Sequence, residues 1–342
     1  MSLEIENLQS WLGKMPRSKL QIHKINESDC EILKIGPKKF LATTIDSISD
    51  EIEFDLYTDP FTMGWMAAMA SLSDLAAVGA NPLGLLFSAN WGRSFDLQKK
   101  QRVALGLREA LKKSGTPLLG GDTGRSTHTL LSGVGVGICD SKPLSRIGLR
   151  VGDWLCMTGK MGTGPAWGFK RLMGDPQGVL QESDFRPEAR IQAGIALRSI
   201  ANAAMDTSDG LASTLNTLCE LNHVALELHW DPQNQLSQKS IQYCQSMKIS
   251  PTSLIFGQHG DYQLVTGISD KKLKLAKQKI KDLIVIGKVL PKKQGNRILT
   301  QKGDKKPIQL DLLENVKTDT FEEIEVAFRS LLEYSRDLAL TI

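Results

Sequence analysis

The sequence has few cysteines, no long apolar run and little net charge. Its five cysteines are an odd number without C-x-x-C spacing, which argues against a disulfide framework and a zinc site. No uninterrupted apolar segment approaches the length that crosses a bilayer. The first twenty residues carry acids where a signal peptide needs a basic end. We therefore expect a cytoplasmic protein without a membrane partner.

Neither sign of charge predominates. The chain has 42 basic and 38 acidic residues, a net charge of +4, and such a small excess does not indicate a nucleic-acid partner. The densest basic run, residues 271–281, places Leu273, Ala276 and Ile280 on one helical face. This pattern is typical of a solvated surface helix, and contact with phosphate or nucleic acid is the alternative.

Strand-like and helix-like segments alternate along the chain, and its 342 residues favour two domains. We predict an α/β (α+β) protein with a mixed-sheet N-terminal domain over residues 1–143 and an α+β domain over 144–342 that ends in a helical extension. The predicted helices are residues 62–78, 98–115, 190–205, 211–221 and 322–340. The predicted strands are residues 38–48, 82–91, 128–139, 154–158, 224–230, 262–268 and 283–290.

What stands out is a set of isolated aspartates. Each is the only acid, or one of two, in a stretch of small and apolar residues that contains no Lys or Arg: Asp46 (between Lys39 and Asp50), Asp74 (Asp59 and Arg93), Asp122 (Lys113 and Arg125), Asp206 with Asp209 (Arg198 and Glu220), and Asp261 (Lys248 and Asp270). A carboxylate in such surroundings is costly unless it is paired or bound to a metal. If several converge, divalent cations with oxygen ligands, such as magnesium, would keep them ionised, which points to phosphate chemistry. The alternative is that each aspartate caps a helix or a turn.

Two other features are weaker. The glycine-rich turn TGKMGTG, residues 158–164, follows a strand, where backbone amides can approach phosphate oxygens. It matches neither a Walker A loop nor GxGxxG. His259 lies beside one isolated aspartate, Asp261, and is interpreted as an ordinary loop histidine.

Four ordered motifs carry a family resemblance. They are SDLAAVGANP (73–82), GGDTGR (120–125), R-x5-GD-x4-TG (146–159) and DTSDGLA (206–212). In order and separation they resemble thiamine-monophosphate kinases, members of the aminoimidazole ribonucleotide (AIR) synthetase superfamily. The resemblance implies a two-domain AIR synthetase-like fold, a homodimer formed through the N-terminal sheet, and ATP near that interface.

The resemblance also assigns roles to residues. It implies magnesium ligands at five acids: Asp29, Asp46, Asp74, Asp122 and Asp209. It implies nucleotide contacts at Thr44, Gly120, Gly121, Asp122, Arg146, Ser208 and Asp209. Among these, Asp74, Asp122 and Asp209 are the expected catalytic residues. Acceptor contacts are expected at Asp261 and Tyr262.

The implied reaction is phosphoryl transfer from ATP to thiamine monophosphate with Mg²⁺, giving thiamine diphosphate. This chain departs from the family pattern in three places. Ser28 replaces one of a pair of acids, DSISDEIEF (46–54) replaces DMLVEGVHF, and HGDYQL (259–264) replaces GGEDYELL without its first Glu. Two alternatives therefore remain open: an ATP-using enzyme that activates another phosphate, amide or carbonyl acceptor, and a nucleotide-binding protein without catalysis.

Overall fold

The structure, a computed structural model, describes residue 8 and residues 10–300, 303–313 and 321–338. These residues form two mixed β-sheets, one on each side of the predicted boundary at residue 144. The boundary itself stays a prediction. In the part of the chain so described, no helix is both long and apolar enough to cross a bilayer.

The first sheet has five strands in the order β1-β2-β5-β3-β4, with only the β3/β4 pair parallel. Its strands are β1 (Glu31–Gly36), β2 (Lys39–Ser47), β3 (Asn81–Trp91), β4 (Leu118–Arg125) and β5 (Leu130–Cys139). The helices of this half are α1 (Ser49–Glu53), α2 (Pro60–Ala77) and α3 (Leu97–Ser114). Along β5 every second residue is buried and the others are partly exposed. The sheet therefore has one face covered by α2 and one open face.

The second sheet has the order β12-β11-β8-β10-β6-β9-β7, with only the β11/β8 pair parallel. Its strands are β6 (Trp154–Thr158), β7 (Ala203–Asp206), β8 (Val224–Trp230), β9 (Leu264–Ile268), β10 (Leu283–Pro291), β11 (Arg297–Thr300) and β12 (Lys305–Pro307). The helices are α4 (Thr163–Met173), α5 (Ile191–Leu197), α6 (Leu211–Asn222), α7 (Pro232–Gln235), α8 (Gln238–Met247), α9 (Asp270–Lys279) and α10 (Phe321–Asp337). Short 3₁₀ turns lie at Glu182–Asp184, Pro251–Ile255 and Lys292–Gln294.

Helix α2 connects the two halves of the molecule. It begins at Pro60, and the preceding residue, Asp59, caps it by accepting a hydrogen bond from the Phe61 amide. Nearly all of its residues are buried. One side packs on the first sheet and α3, and its last turns contact α5 and β7 of the second half. Since Asp74 lies on this helix, its carboxylate is held where the two halves meet.

Close contact between α2 and α3 depends on glycine. A Cβ at Gly64 would lie 1.9 Å from the Val103 carbonyl oxygen, and a Cβ at Gly106 would lie 1.9 Å from that of Phe61. Both distances are far below van der Waals contact, so a larger residue at either position would push the helices apart. The position of α2, and of the side chains at its C-terminal end, therefore depends on this pair.

One predicted helix is wrong. Residues 190–205 were expected to be a single helix, but α5 ends at Leu197 and Ala203–Asp206 form strand β7, paired with β9. Alanine and methionine favour a helix locally, but here they fill a fully buried edge of the sheet, and tertiary packing overrides propensity. The other predicted helices and strands are confirmed in type within the described residues, with shifts at their ends.

We expect Gly106→Ala to destabilise the protein by about 1–3 kcal/mol, because overpacking at the helix contact outweighs the gain of about 1 kcal/mol in helix propensity. Urea denaturation followed by circular dichroism measures this free energy of unfolding. The control is Gln101→Ala, an exposed position on the same helix, with an expected change within about 0.5 kcal/mol. Equal stability of the two variants would contradict the packing argument.

Candidate active site

A cavity of about 760 Å³ lies where the first sheet meets the second half of the chain. Its walls come from the segment before β1, from β2, α1 and α2, and from the loops after β5, after β7 and before β9. Most charged side chains that line it are acids: Asp29, Glu31, Asp46, Glu51, Asp74 and Asp209. Among the described lining residues, Arg146 is the one lysine or arginine. Acids therefore dominate the lining of the cavity.

Three carboxylates meet beside this cavity, and two of them, Asp29 and Asp74, line it. Oxygen atoms of Asp29, Asp74 and Asp206 all lie within 4.8 Å of one another. The three residues come from the segment before β1, from α2 and from the end of β7. The packing of these distant segments brings the three side chains together, which is the arrangement expected for a cation site.

Hydroxyl groups fix the orientation of two of these carboxylates. The Thr44 hydroxyl, on β2, donates to Asp74. Asp206 accepts a hydrogen bond of 2.5 Å from Ser73 Oγ and one of 2.9 Å from Ser208 Oγ. Because Ser73 belongs to α2 and Asp206 to β7, the bond between Ser73 and Asp206 directly joins the two halves of the protein.

Burial and mutual repulsion disfavour full ionisation of this group. Burial raises the pKa of Asp74 well above its usual value, and the neighbouring charges of Asp46, Asp206 and Asp29 raise it further. Burial raises the pKa of Asp29 to about 6, although Arg146 acts in the opposite direction. Without added positive charge, protons would have to take the place of a cation.

Arg146 offsets only part of this negative charge. Its Nε and Nη2 atoms donate to the same oxygen of Asp29, at 3.2 and 3.1 Å, and its Nη1 donates to Asn26. The other oxygen of Asp29 and the hydroxyl of Ser28 are buried and have no hydrogen-bond partner among the described residues. An unpartnered buried carboxylate oxygen beside two more acids fits a magnesium ligand set.

Most of the predicted site residues meet at this cavity. Eight of them line it: Asp29, Thr44, Asp46, Asp74, Arg146, Ser208, Asp209 and Tyr262. The sequence separations are large, so this convergence is a property of the fold. The structure places Asp29, Asp46, Asp74 and Asp209 around one hollow.

Asp261 instead follows the alternative interpretation of the isolated acids. It does not line the cavity, and its two oxygens accept hydrogen bonds from the amides of Gly162 (2.6 Å) and Gly164 (2.9 Å). These amides belong to the glycine-rich turn before α4, for which phosphate binding was considered. The Asp261 carboxylate accepts their hydrogen bonds in place of a phosphate. The geometry supports a structural role for Asp261 and does not support direct contact with an acceptor.

Asp122 also lies apart from the cavity. It is exposed on β4, the edge strand of the first sheet, and Gly120 and Gly121 precede it there. Asp122 pairs with Ser88 of β3, which pairs with Ser132 of β5. Paired residues of neighbouring strands share a face, and Ser132 is on the open face. The Asp122 side chain therefore belongs to that face.

Three features of the site were missed. Asp206 was recognised as an isolated acid, but the motif comparison directed attention to Asp209 of the same DTSDG segment. Glu51 had no signal, because it lies in an acid-rich segment of α1. His259 was interpreted as a loop residue, yet it is only partly exposed and lines the cavity.

His259 forms part of an aromatic wall. Its Nε2 lies 3.3 Å from the Tyr57 hydroxyl, and its ring centroid lies 4.7 Å from that of Phe185. Burial lowers the pKa of His259 to about 3, so the imidazole is neutral at physiological pH. It therefore does not add positive charge to the acidic cavity.

Comparison with known proteins agrees with this architecture. The family model described as AIR synthase related protein, N-terminal domain, matches residues 27–139. A thiamine-monophosphate kinase of Salmonella typhimurium is 32% identical over 220 residues, which are 62% of this chain and 67% of that protein.

Solved structures extend the similarity over most of the chain. The crystal structure of thiamine monophosphate kinase from Aquifex aeolicus has a TM-score of 0.70 and 25% identity, over 90% of this chain and 100% of that one. A structure described as AaThiL complexed with AMPPCP and TMP has a TM-score of 0.72 and 24% identity, over 90% and 94% of the two chains. With these relatives and the two-sheet fold, the chain belongs to the thiamine-monophosphate kinase family, within the AIR synthetase-like superfamily.

Proposed function

We propose that this protein transfers the γ-phosphoryl group of ATP to the phosphate of thiamine monophosphate. The bond between the β-γ bridging oxygen and the γ-phosphorus breaks, a bond from an acceptor phosphate oxygen to that phosphorus forms, and ADP and thiamine diphosphate result. The observation that carries the proposal is the convergence of Asp29, Asp74 and Asp206 beside a cavity lined by acids. The relative bound to AMPPCP, an ATP analogue, and TMP supports the choice of substrates.

The acidic cavity by itself would repel both substrates. Magnesium ions held by Asp29, Asp46, Asp74, Asp206 and Asp209 would supply the positive charge that screens this repulsion and aligns donor and acceptor phosphates. The donor set fits, because it consists of carboxylate oxygens and includes one buried oxygen without a partner. Thr44, Ser73 and Ser208 keep the carboxylates oriented through their hydroxyl groups.

The reaction needs no strong general base. The acceptor phosphate is already ionised at neutral pH, so positioning and electrostatics can supply most of the catalysis. The cavity lining offers no strong base either. His259 is the only histidine among its described residues, and this imidazole is neutral and lies beside the Tyr57 hydroxyl. Arg146, held by Asp29, remains close enough to the cavity to face a phosphate group.

We also propose that the protein is a homodimer formed through the open face of the first sheet. Ile45 and Leu86 both pair with Val134, so the three side chains form an apolar row across this face, and Ile45 and Leu86 are 71% and 39% exposed. Asp122 belongs to the same face, and the cavity reaches it at Ile45 and Ser47. In a dimer, the partner subunit could therefore bring an Asp122 to the cavity rim and complete the set of acids.

The first test is turnover. The purified protein with Mg-ATP and thiamine monophosphate should produce thiamine diphosphate, and Asp74→Asn should lower kcat/KM by about 100-fold or more, because the cation loses a charged ligand. Asp50→Asn, which removes an exposed acid from α1, is the control and should retain full activity. An active enzyme that is indifferent to Asp74→Asn would contradict the assignment of the site, and ADP release with other acceptors alone would contradict the substrate.

Thermal stability of the same variant separates folding from metal binding. In EDTA, Asp74→Asn should unfold at the wild-type temperature or higher, because it removes repulsion among buried carboxylates. Added Mg-ATP should raise the Tm of the wild type by several degrees and that of the variant much less. A large loss of stability in EDTA would instead identify Asp74 as a structural residue.

The dimer is tested by Leu86→Glu. A charge in the apolar row should give monomers in sedimentation velocity and should lower activity strongly, since Asp122 of the partner subunit would be lost from the site. Leu97→Glu is the matched control, because Leu97 is also an exposed leucine, 69% accessible, but lies at the start of α3. A fully active monomer would argue against a site shared between subunits.

A further inference from the structure

Part of the cavity lining has different chemistry. Glu51 of α1 lines the cavity together with His259 and Tyr262. Glu51 does not belong to the group of acids whose oxygens lie within 4.8 Å of one another. Its neighbours on α1, Asp50 and Glu53, are exposed to solvent. Glu51 is therefore the one acid of this helix that faces the cavity.

No cation of the described chain neutralises Glu51. Lysine, arginine and histidine side chains in the described ranges form no ion pair with its carboxylate, and its nearby charges are the acids Asp50 and Asp46. The carboxylate is also partly buried. A partly buried acid without a counter-ion is unfavourable, unless a ligand supplies the positive charge.

Aromatic residues lie near Glu51. The amide of Tyr57 donates to the main-chain carbonyl oxygen of Glu51 at 3.3 Å, and the Tyr57 hydroxyl contacts His259. Tyr262 is close enough to Glu51 to be influenced by its charge, and the charges of Asp206 and Asp46 also reach it. A carboxylate beside π-faces is an arrangement that binds flat organic cations, because both the charge and the ring faces attract them.

The segment that carries α1 is held firmly by the second half of the protein. Trp167 Nε1 donates to the Leu56 carbonyl at 2.9 Å, and the carboxylate of Glu182 accepts from the amides of Thr58 and Asp59. These bonds fix the turn that follows α1. The wall that contains Glu51 is therefore built into the fold.

We propose that Glu51 is a specificity residue for the acceptor, whose carboxylate faces the positively charged thiazolium ring of thiamine monophosphate while His259 and Tyr262 line the ring pocket. This inference rests on the proposed function. In this arrangement the phosphate of the acceptor lies toward the cation-binding acids, and its fixed positive charge lies toward Glu51.

The test is equilibrium binding of two acceptors, measured by calorimetry with the Mg-AMPPCP complex of the full-length protein. One acceptor is thiamine monophosphate, and the other is the phosphate ester of 4-methyl-5-(2-hydroxyethyl)thiazole, which lacks the quaternary nitrogen. Glu51→Gln should raise the Kd for thiamine monophosphate by about tenfold or more, since it removes one charge pair, and should leave the Kd for the ester with the uncharged ring within about twofold. Glu53→Gln, an exposed acid of the same helix, should change neither value, and Glu51→Asp should restore part of the affinity.

Other outcomes overturn the inference. Equal losses for both acceptors would mean that Glu51 acts on the phosphate or only on the shape of the pocket. A change in the Mg²⁺ concentration needed for AMPPCP binding would make it a metal ligand. Tight binding that is unaffected by Glu51→Gln, or no binding of thiamine monophosphate by the wild type, would refute it directly. Because binding is measured apart from turnover, a wild type that binds thiamine monophosphate but forms no thiamine diphosphate would refute the proposed function alone.

Discussion

Repulsion among Asp29, Asp74 and Asp206 is the constraint on which the rest of the site depends. Their oxygens lie within 4.8 Å of one another in a mostly buried setting, where like charges interact much more strongly than in water. The fold provides Arg146 for one oxygen and hydroxyl groups for several others, but a carboxylate oxygen of Asp29 still has no partner among the described residues. Such an arrangement is stable in the ionised state only with cations, and cations in turn attract polyphosphates. The chemistry proposed for the site follows from this excess of negative groups over positive ones.

Helix α2 makes the arrangement possible. Two adjacent residues near its end bind to different sheets. Asp74 accepts a hydrogen bond from Thr44 of the first sheet, and Ser73 donates one to Asp206 of the second. The helix can lie between the halves because small residues, among them Gly64, allow close approach on all sides. Docking of the two halves and assembly of the acids are therefore one event. A change that moves α2 should disturb the site even where no site residue is altered.

The proposed site combines two kinds of recognition. In it, the aspartates that line the cavity would receive metal-bound phosphates, and Glu51, with His259 and Tyr262, would receive a flat cation. Asp122 is exposed on the edge strand of the first sheet, and in the proposed dimer it would reach the cavity from the partner subunit. Two of the three departures from the family pattern, residues 46–54 and 259–264, supply Glu51, His259 and Tyr262, whereas the third, Ser28, lies beside Asp29.

The sequence alone determined the class of chemistry. Charges isolated in apolar segments are rare, and six of them in five segments indicated a cation-dependent phosphate site before any coordinates. Ordered motifs identified the family, and hydrophobic periodicity identified most strands and helices. Tertiary structure decided which isolated acids meet. Asp206 joins the cluster because Ala203–Asp206 pair as a strand against β9, and local propensity had favoured a helix there. Asp261, alike in sequence, binds the amides of Gly162 and Gly164. The physical reason is that sequence records how costly a buried charge is, whereas only the packed chain decides whether a cation, a peptide amide or a neighbouring subunit compensates it.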